Sequence, residues 1–286
     1  MKVDVSEIGV NLYADLMKKV LTASIYEQSS WCIVYMDNQN WRQEKNIIEL
    51  IKSHIKYRIV KWLDQRSYSL IKRIPFDPKA REIGKDWPNF LGFTMIGHRR
   101  LDNIQTCIED VLQNNVEGDF IETGAWRGGA TIFMRALLKD RGVTNRKVWV
   151  ADSFEGLPAP TFEGDGSDLS GVEMLKVTVE LVKENFAKFG LLDDQVQFLK
   201  GWFCDTLPNA PIEKLAILRL DGDMYSSTMD ALKSLYPKVS TGGYVIVDDY
   251  YSWPSCKKAV HDYLDSHALS PKIIRIDEDA AYWQCE

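Results

Sequence analysis

Four aspartates follow two short apolar runs in the second half of the chain. Asp221 and Asp223 come after the run LAILRL, and Asp248 and Asp249 come after the run GYVIV. If these runs are neighbouring parallel strands, the four carboxylates meet at one edge of a sheet, where their charges repel one another. A hard divalent cation relieves this repulsion, and carboxylate oxygens are ligands that Mg²⁺ prefers. The spacing therefore predicts a Mg²⁺ site.

Such a site is suited to a reaction at a hydroxyl group. The pKa of an alcohol lies far above neutrality, and a metal ion bound to its oxygen lowers that pKa. A neighbouring carboxylate can then take the proton as a general base. A single aspartate at a strand end more often caps a helix or a turn. Four aspartates at two strand ends favour a metal site over a role in capping helices or turns.

A glycine-containing loop, ETGAWRGG at residues 122–129, precedes this cluster. Its glycines allow the backbone to turn close to a ligand before a helical pattern begins. The spacing is Gly-x-x-x-Gly and not the Gly-x-Gly-x-x-Gly of dinucleotide enzymes. S-adenosylmethionine (SAM) has no pyrophosphate and needs no such turn, and Glu122 suits its cationic amine. The alternative is that the glycines serve only helix packing. The residues predicted to bind SAM here are Glu122, Thr123, Gly124, Ala125 and Trp126.

The next apolar run ends at Asp152, which is followed by Ser153 and the sequence FEGLP. An acid at this strand end is placed to accept hydrogen bonds from both hydroxyls of a ribose. On its own, Asp152 would be assigned to a helix cap or a loop. Because the glycine loop comes just before it, we predict that Asp152 and Ser153 contribute to the same SAM site.

Short apolar runs and helical patterns alternate after residue 115. This alternation predicts a parallel sheet with helices on both faces. Two final runs are too close together for a crossover helix and predict an antiparallel hairpin. The fold class is therefore α/β: a Rossmann-like SAM-methyltransferase fold with a mostly parallel seven-stranded sheet and a C-terminal antiparallel hairpin. Its strands are predicted at 118–122, 147–151, 195–199, 215–220, 243–247, 272–276 and 281–285.

Before residue 115, helical periodicity dominates and strand signals are sparse. Apolar residues from Leu12 to Ile25 recur at three- and four-residue steps, and further helical patterns cover about 41–72. Prolines and glycine then mark a linker. We divide the chain into an N-terminal helical lid, residues 1–85, and a SAM-dependent methyltransferase core, residues 86–286.

The composition excludes several classes of partner. The net charge is −6 and no dense Lys/Arg stripe is present, so we expect no nucleic-acid partner. No run reaches the about 18 apolar residues that a membrane span needs, and no signal peptide opens the chain. The five cysteines form no C-x-x-C pair, which argues against disulfides and zinc and predicts reduced thiols in a cytoplasmic protein.

Several ordered blocks resemble the macrocin O-methyltransferase family, whose members methylate sugar hydroxyls of macrolide and aminocoumarin antibiotics. The blocks are LYADLMKKVLT, TMIG, RLDN, ETG, DSFEGLP, GWF, DTLP, LRLDGDMY and VDDY, in chain order. The resemblance implies a SAM-binding core, a helical lid and a bound Mg²⁺. It makes Asp223 the candidate general base, with Asp221 as the other possibility. The metal ligands it implies are Asp221, Asp248 and Asp249. The further cofactor contacts it implies are Thr94, Met95, Gly201, Trp202 and Asp221.

The expected reaction is methyl transfer from SAM to a hydroxyl oxygen of a secondary metabolite. Residues 28–80 look longer than in the sugar-modifying members and are rich in aromatic residues. A polyketide or peptide hydroxyl, free or tethered to a carrier protein, is therefore an alternative acceptor to a sugar. More distant alternatives are a non-catalytic SAM-binding module and an NAD(P)-dependent oxidoreductase. We expect no membrane partner and a homo-oligomer, namely a dimer.

Overall fold

The computed structural model of the protein describes residues 5–26, 30–33, 55, 57–63, 65–66, 68, 71–74, 77–85, 91–166 and 168–286. The N-terminal part contains helix α1 (Val5–Leu21), a two-stranded antiparallel sheet and the short helix α2 (Pro78–Glu82). The strands of that small sheet are β1 (Ser30–Ile33) and β2 (Ile71–Ile74). Helix α3 (His98–Gln113) leads into the main sheet.

The main sheet has seven strands: β3 (Asp119–Thr123), β4 (Val148–Asp152), β5 (Val196–Lys200), β6 (Leu215–Leu220), β7 (Val239–Val247), β8 (Ile274–Arg275) and β9 (Ala281–Gln284). Their order across the sheet is β5-β4-β3-β6-β7-β9-β8. Strands β3 to β7 run parallel, whereas β9 pairs antiparallel with both β7 and β8. The fold class predicted from the sequence is confirmed.

Helices cover both faces of this sheet, so its central strands are buried on both sides and are continuously apolar. The helices after β3 are α4 (Gly129–Asp140), α5 (Val179–Lys188), the short α6 (Phe203–Thr206), α7 (Tyr225–Leu235) and α8 (Pro254–Ser266). One face of the sheet packs against α1, α3, α4 and α5, and the other packs against α7 and α8.

The register of the three central strands sets the position of the residues that follow them. Thr123 of β3 pairs with Leu220 of β6, and Leu220 pairs with Val247 of β7. The three carboxyl ends are therefore level. Hydrogen bonding continues one step further, because the amide of Asp221 donates to the carbonyl of Thr123 and that of Asp248 donates to Leu220, each at 2.9 Å.

Several elements differ from the sequence pattern. Residues 173–189 have a helical pattern, but the structure divides them into a 3₁₀ turn, Glu173–Leu175, and α5, whose start is capped by the Thr178 hydroxyl accepting from the Leu181 amide. Strand β7 begins at Val239 rather than at 243. Of the helical pattern predicted at 41–72, residues 57–63 are helical, whereas 71–72 belong to β2; the remainder lies largely outside the described residues.

Helix α1 shares the hydrophobic core of the main sheet. Its residues Ala14, Met17 and Leu21 are buried in the same cluster as Leu101 of α3. The ammonium group of Lys18 also donates to Asp102 at 2.5 Å. The boundary at residue 85 stays a prediction, but α1 is packed onto the core and does not stand apart from it. Over the described ranges, no helix is long and apolar enough to cross a membrane.

Candidate active site

The carboxylate cluster predicted from the sequence forms at the level strand ends of β6 and β7. Asp221, Asp248 and Asp249 each place a carboxylate oxygen within 4.8 Å of the others. Burial and the charge of Asp248 raise the pKa of Asp221. Burial, followed by the charges of Asp223 and Asp221, raises the pKa of Asp249 well above its ordinary value. Burial and mutual repulsion therefore disfavour the ionised forms of these carboxyl groups when no cation is bound.

Asp223 lies beside this cluster in an unusual backbone conformation. Its φ is 57°, in the left-handed region that a residue with a side chain seldom adopts. The turn is closed by the Met224 amide, which donates to the Gly222 carbonyl at 2.6 Å, and α7 begins directly afterwards. Burial and the charge of Asp221 raise the pKa of Asp223. Such local strain is characteristic of functional positions.

Two buried arginines, which we did not predict, compensate part of the negative charge. Arg219 of β6 is fully buried and donates to Glu122, to Asp221 at 2.7 Å, and to Asp248. Arg100 of α3 donates to the other oxygen of Asp248 at 2.5 Å. The sequence carried a signal for Arg219, because a charged residue within an otherwise apolar strand must find partners when it is buried.

These residues fit a hard divalent cation. The donors are carboxylate oxygens, which suit Mg²⁺. Asp249 Oδ2 is buried and has no hydrogen-bond partner among the described residues, although buried polar atoms are normally satisfied. A cation would satisfy this oxygen and offset the charge that the two arginines leave uncompensated.

A cavity of about 330 Å³ opens next to the carboxylates. Its wall contains residues from the glycine loop, from the ends of β4 and β5, and from the turn after β6. The candidate residues that line it are Met95, Gly124, Trp126, Asp152, Ser153, Trp202, Asp221 and Asp223. The structure thus brings most of the predicted cofactor residues to one cavity together with the candidate base.

Seven candidate residues are not among those that line this cavity. They are the candidate metal ligands Asp248 and Asp249 and the candidate cofactor residues Thr94, Glu122, Thr123, Ala125 and Gly201. Glu122 was expected to meet the cofactor amine, but its side chain is buried and receives a hydrogen bond from Arg219. Burial raises the pKa of Glu122 to about 8, although the charge of Arg219 opposes this. Its Oε2 is buried and has no hydrogen-bond partner among the described residues, so a contact of Glu122 with the cofactor amine stays a prediction.

Asp152 holds the glycine loop in place. Its Oδ2 accepts from the amides of Ala125 and Trp126 at 2.7 and 3.2 Å, and its Oδ1 accepts from the amide of Phe154 at 2.7 Å. Burial raises the pKa of Asp152, and these hydrogen bonds oppose the rise. The two amides use both lone pairs of Oδ2, whereas Oδ1 accepts one short hydrogen bond and one of 3.5 Å from the Ser153 hydroxyl. Oδ1 is therefore the oxygen that can accept from a ligand hydroxyl in the cavity.

Gly124 allows the glycine loop to pass close to β6. Its φ is 94°, and a Cβ at this position would lie 1.7 Å from the carbonyl oxygen of Asp221. We expect Gly124→Ala to displace the strand end that carries Asp221, lowering the melting temperature and weakening binding of S-adenosylhomocysteine. Thermal unfolding and calorimetric titration measure both effects.

Gly142→Ala is the matched control for this prediction. Gly142 also has a positive φ, 65°, but a Cβ there meets nothing within 4 Å. Its replacement should lower the free energy of unfolding by only about 1–2 kcal/mol, which is the cost of a left-handed conformation in alanine. Ligand binding should be unchanged. Equal losses in the two variants would show that the close approach to Asp221 is unimportant.

Part of the cavity wall was not predicted from the sequence. It comes from the segment after Asp152, which contributes Leu157 and Thr161, and from Ser226 of α7. This segment is attached to α7 through Asp165, whose carboxylate accepts from the amides of Tyr225 and Phe162 at 2.8 and 3.1 Å. In the sequence, only the block DSFEGLP indicated this part of the wall, and it covers just the first residues of the segment.

Comparison with known proteins gives the family of this chain. A family model described as Macrocin-O-methyltransferase (TylF) matches residues 10–285. The demethyldecarbamoylnovobiocin O-methyltransferase of Streptomyces niveus is 44% identical over 279 residues, covering 96% of this chain and 93% of that protein. The 8-demethyl-8-(2,3-dimethoxy-alpha-L-rhamnosyl)-tetracenomycin-C 4'-O-methyltransferase of Streptomyces olivaceus is 42% identical over 289 residues, covering 98% of this chain and 94% of that protein.

The solved structure of the O-methyltransferase NovP has a TM-score of 0.78 to this chain at 43% identity, covering 96% of this chain and 99% of that one. The family match includes residues 28–80, which were expected to set this chain apart. The resemblance inferred from the sequence blocks is confirmed, and the oxidoreductase and non-catalytic alternatives are excluded. The chain belongs to the macrocin O-methyltransferase family and is a SAM-dependent O-methyltransferase.

Proposed function

We propose that this enzyme methylates a sugar hydroxyl of a natural product, with Mg²⁺ bound by Asp221, Asp248 and Asp249 and with Asp223 as general base. The observation that carries the proposal is the position of Asp223 on the cavity wall, directly beside three converging carboxylates. A base must lie within hydrogen-bond reach of the proton that it takes, and this arrangement allows one hydroxyl to meet both groups.

The cavity residues divide between the two ligands. Gly124, Trp126 and Asp152 would hold SAM at the ends of β3 and β4, and Trp202 would lie beside its adenine. SAM supplies an electrophilic methyl group. The protein's contribution is then mainly to align this group with the acceptor oxygen and to exclude water, which together can account for much of the rate.

The carboxylates would act on the acceptor side. Asp221, Asp248 and Asp249 would hold Mg²⁺, which when bound lowers the pKa of a hydroxyl group placed against it. Asp223 would take the hydroxyl proton on its carboxylate. The burial that raises the pKa of Asp223 makes it a stronger base than an exposed aspartate, which suits this role.

The name of a related enzyme favours a sugar as the acceptor. The name of the Streptomyces olivaceus enzyme specifies a rhamnosyl-bearing substrate. The family match runs through residues 28–80, so this stretch no longer argues for a different acceptor. The alternative acceptor is a polyketide or peptide hydroxyl, either free or tethered to a carrier protein. The experiment below distinguishes this alternative from a sugar.

The test is a mass-spectrometric screen of the purified enzyme with SAM and Mg²⁺. Glycosylated natural products are offered beside their own aglycones, and hydroxylated polyketides and peptides are offered free and on a carrier protein. We expect a gain of one methylene unit in the sugar fragment of a glycoside, with release of S-adenosylhomocysteine. Methylation of the aglycones or of the tethered acceptors, with the glycosides unchanged, would overturn the sugar assignment.

A further inference from the structure

Asp248 is held from two sides by buried guanidinium groups. Arg219 donates to its Oδ1 and Arg100 donates to its Oδ2, so both oxygens are fixed before any ligand binds. The two arginines come from different parts of the fold, β6 and α3. A carboxylate held in this way cannot rotate, and its remaining lone pairs keep their direction relative to Asp221 and Asp249.

We propose that Arg100 is a positioning residue for the metal site, which orients Asp248 without touching metal, SAM or acceptor. This inference rests on the proposed function, because it assumes that the carboxylate cluster binds a divalent cation. Mutation of an outer partner that orients a metal ligand typically lowers metal affinity or activity by about 10–100-fold.

The geometry of Arg100 requires a guanidinium group. Its three donor nitrogens reach three different carboxylates: Nη1 donates to Asp248 at 2.5 Å, Nε to Asp277 at 2.7 Å and Nη2 to Asp279 at 2.7 Å. Asp277 and Asp279 belong to the turn between β8 and β9. A lysine has the same charge but places it at a single point, so it cannot reproduce this planar set of contacts.

Arg100 also connects the metal site to the cavity wall. It lies in the first turn of α3, and the segment just before that helix contributes Met95 to the wall. The turn that holds its other two partners is itself ordered, because Asp277 Oδ1 accepts from the amides of Asp279 and Ala280, each at 2.9 Å. Arg100 is thus fixed independently of Asp248 and can hold that carboxylate in place.

The test measures binding of Mn²⁺, as a probe for the divalent cation, by electron paramagnetic resonance of the free ion. Binding of S-adenosylhomocysteine is measured separately by calorimetry. We expect Arg100→Lys to weaken Mn²⁺ binding by about tenfold or more and to leave S-adenosylhomocysteine binding unchanged. The bound Mn²⁺ spectrum should also change, since the ligand geometry is altered.

Arg135→Lys is the matched control. Arg135 is equally buried and donates to both oxygens of Asp193, at 2.9 and 2.5 Å, but this pair joins α4 to the loop before β5, away from the carboxylate cluster. The control should lose thermal stability and keep normal Mn²⁺ affinity. Arg100→Gln is a second variant, in which a neutral side chain retains donors.

Three results would overturn the positioning role of Arg100. Normal Mn²⁺ affinity in Arg100→Lys would overturn the positioning role. Joint loss of Mn²⁺ and S-adenosylhomocysteine binding in both Arg100 variants would also overturn it, because Arg100 would then support the whole fold. Failure of the wild-type enzyme to bind Mn²⁺ would overturn the metal site of the proposed function, and this inference with it, before any variant is made.

Discussion

Replacing Asp223 with Asn should abolish methyl transfer while SAM and the divalent cation still bind. An amide cannot take the acceptor proton, and loss of a general base typically lowers turnover by about 10²–10⁴-fold. The substitution removes the charge of the side chain but keeps its size and shape. Asparagine is among the few residues that tolerate a left-handed backbone, so the φ of 57° at this position adds no new strain.

Three measurements separate this effect from simple damage to the site. Methylated product is quantified by mass spectrometry, S-adenosylhomocysteine binding by calorimetry and Mn²⁺ binding by paramagnetic resonance. Asp193→Asn is the control, because it makes the same chemical change in a carboxylate that pairs with Arg135 away from the cavity. It should retain normal turnover.

The same measurements decide between the two candidate bases. Asp221 belongs to the three converging carboxylates, so Asp221→Asn should lose Mn²⁺ affinity together with turnover. Asp223→Asn should lose turnover alone. If Asp223→Asn remains active and Asp221→Asn is inactive with Mn²⁺ still bound, then Asp221 is the base and our assignment is wrong.

The aspartates could be placed from the sequence because parallel strands have a simple geometry. Once LAILRL and GYVIV are recognised as neighbouring strands, their carboxyl ends must meet, and the level pairing of Leu220 with Val247 brings Asp221 beside Asp248. The alternation of strands and helices predicted the fold class, but it did not predict that β3 pairs with β6 or that β7 pairs with β9. Local pattern was sufficient for the aspartates because β6 and β7 are consecutive strands in the chain.

The arginines could not be placed in the same way. Arg100 reaches Asp277 and Asp279 across most of the length of the chain, and no local pattern connects the first turn of a helix to a distant hairpin turn. The small sheet of β1 and β2 was missed for the same reason, because its strands are far apart in sequence.

Glu122 shows a different limit of sequence reasoning. An acid near a strand end can face the ligand edge or the sheet interior, and the sequence does not distinguish the two. In the structure Glu122 is buried and pairs with Arg219, which also holds Asp221 and Asp248. Glu122 therefore joins the network of the carboxylate cluster through Oε1. Its Oε2 has no hydrogen-bond partner among the described residues, and the predicted contact with the cofactor stays a prediction.

Removal of divalent cations with excess EDTA should abolish turnover without unfolding the enzyme. The fold does not depend on a cation, because Arg219 and Arg100 already pair with Asp248 and Arg219 pairs with Asp221. Under the proposed mechanism the chemistry does depend on it, because the bound cation is the group that would lower the pKa of the acceptor hydroxyl. Stability and activity should consequently respond differently to chelation.

The measurement compares turnover, melting temperature and S-adenosylhomocysteine binding before and after chelation. We expect turnover to be lost and to return with Mg²⁺, while ligand binding stays unchanged and the melting temperature falls little. Ca²⁺ should restore turnover poorly, because it is larger, takes more ligands and holds them less rigidly than Mg²⁺. Asp249→Asn should mimic chelation in the presence of Mg²⁺, since Asp249 would be a metal ligand and its buried Oδ2 has no hydrogen-bond partner in the part of the chain that the structure describes. Full turnover in excess EDTA would exclude the metal from the reaction and leave Asp223 to act without it.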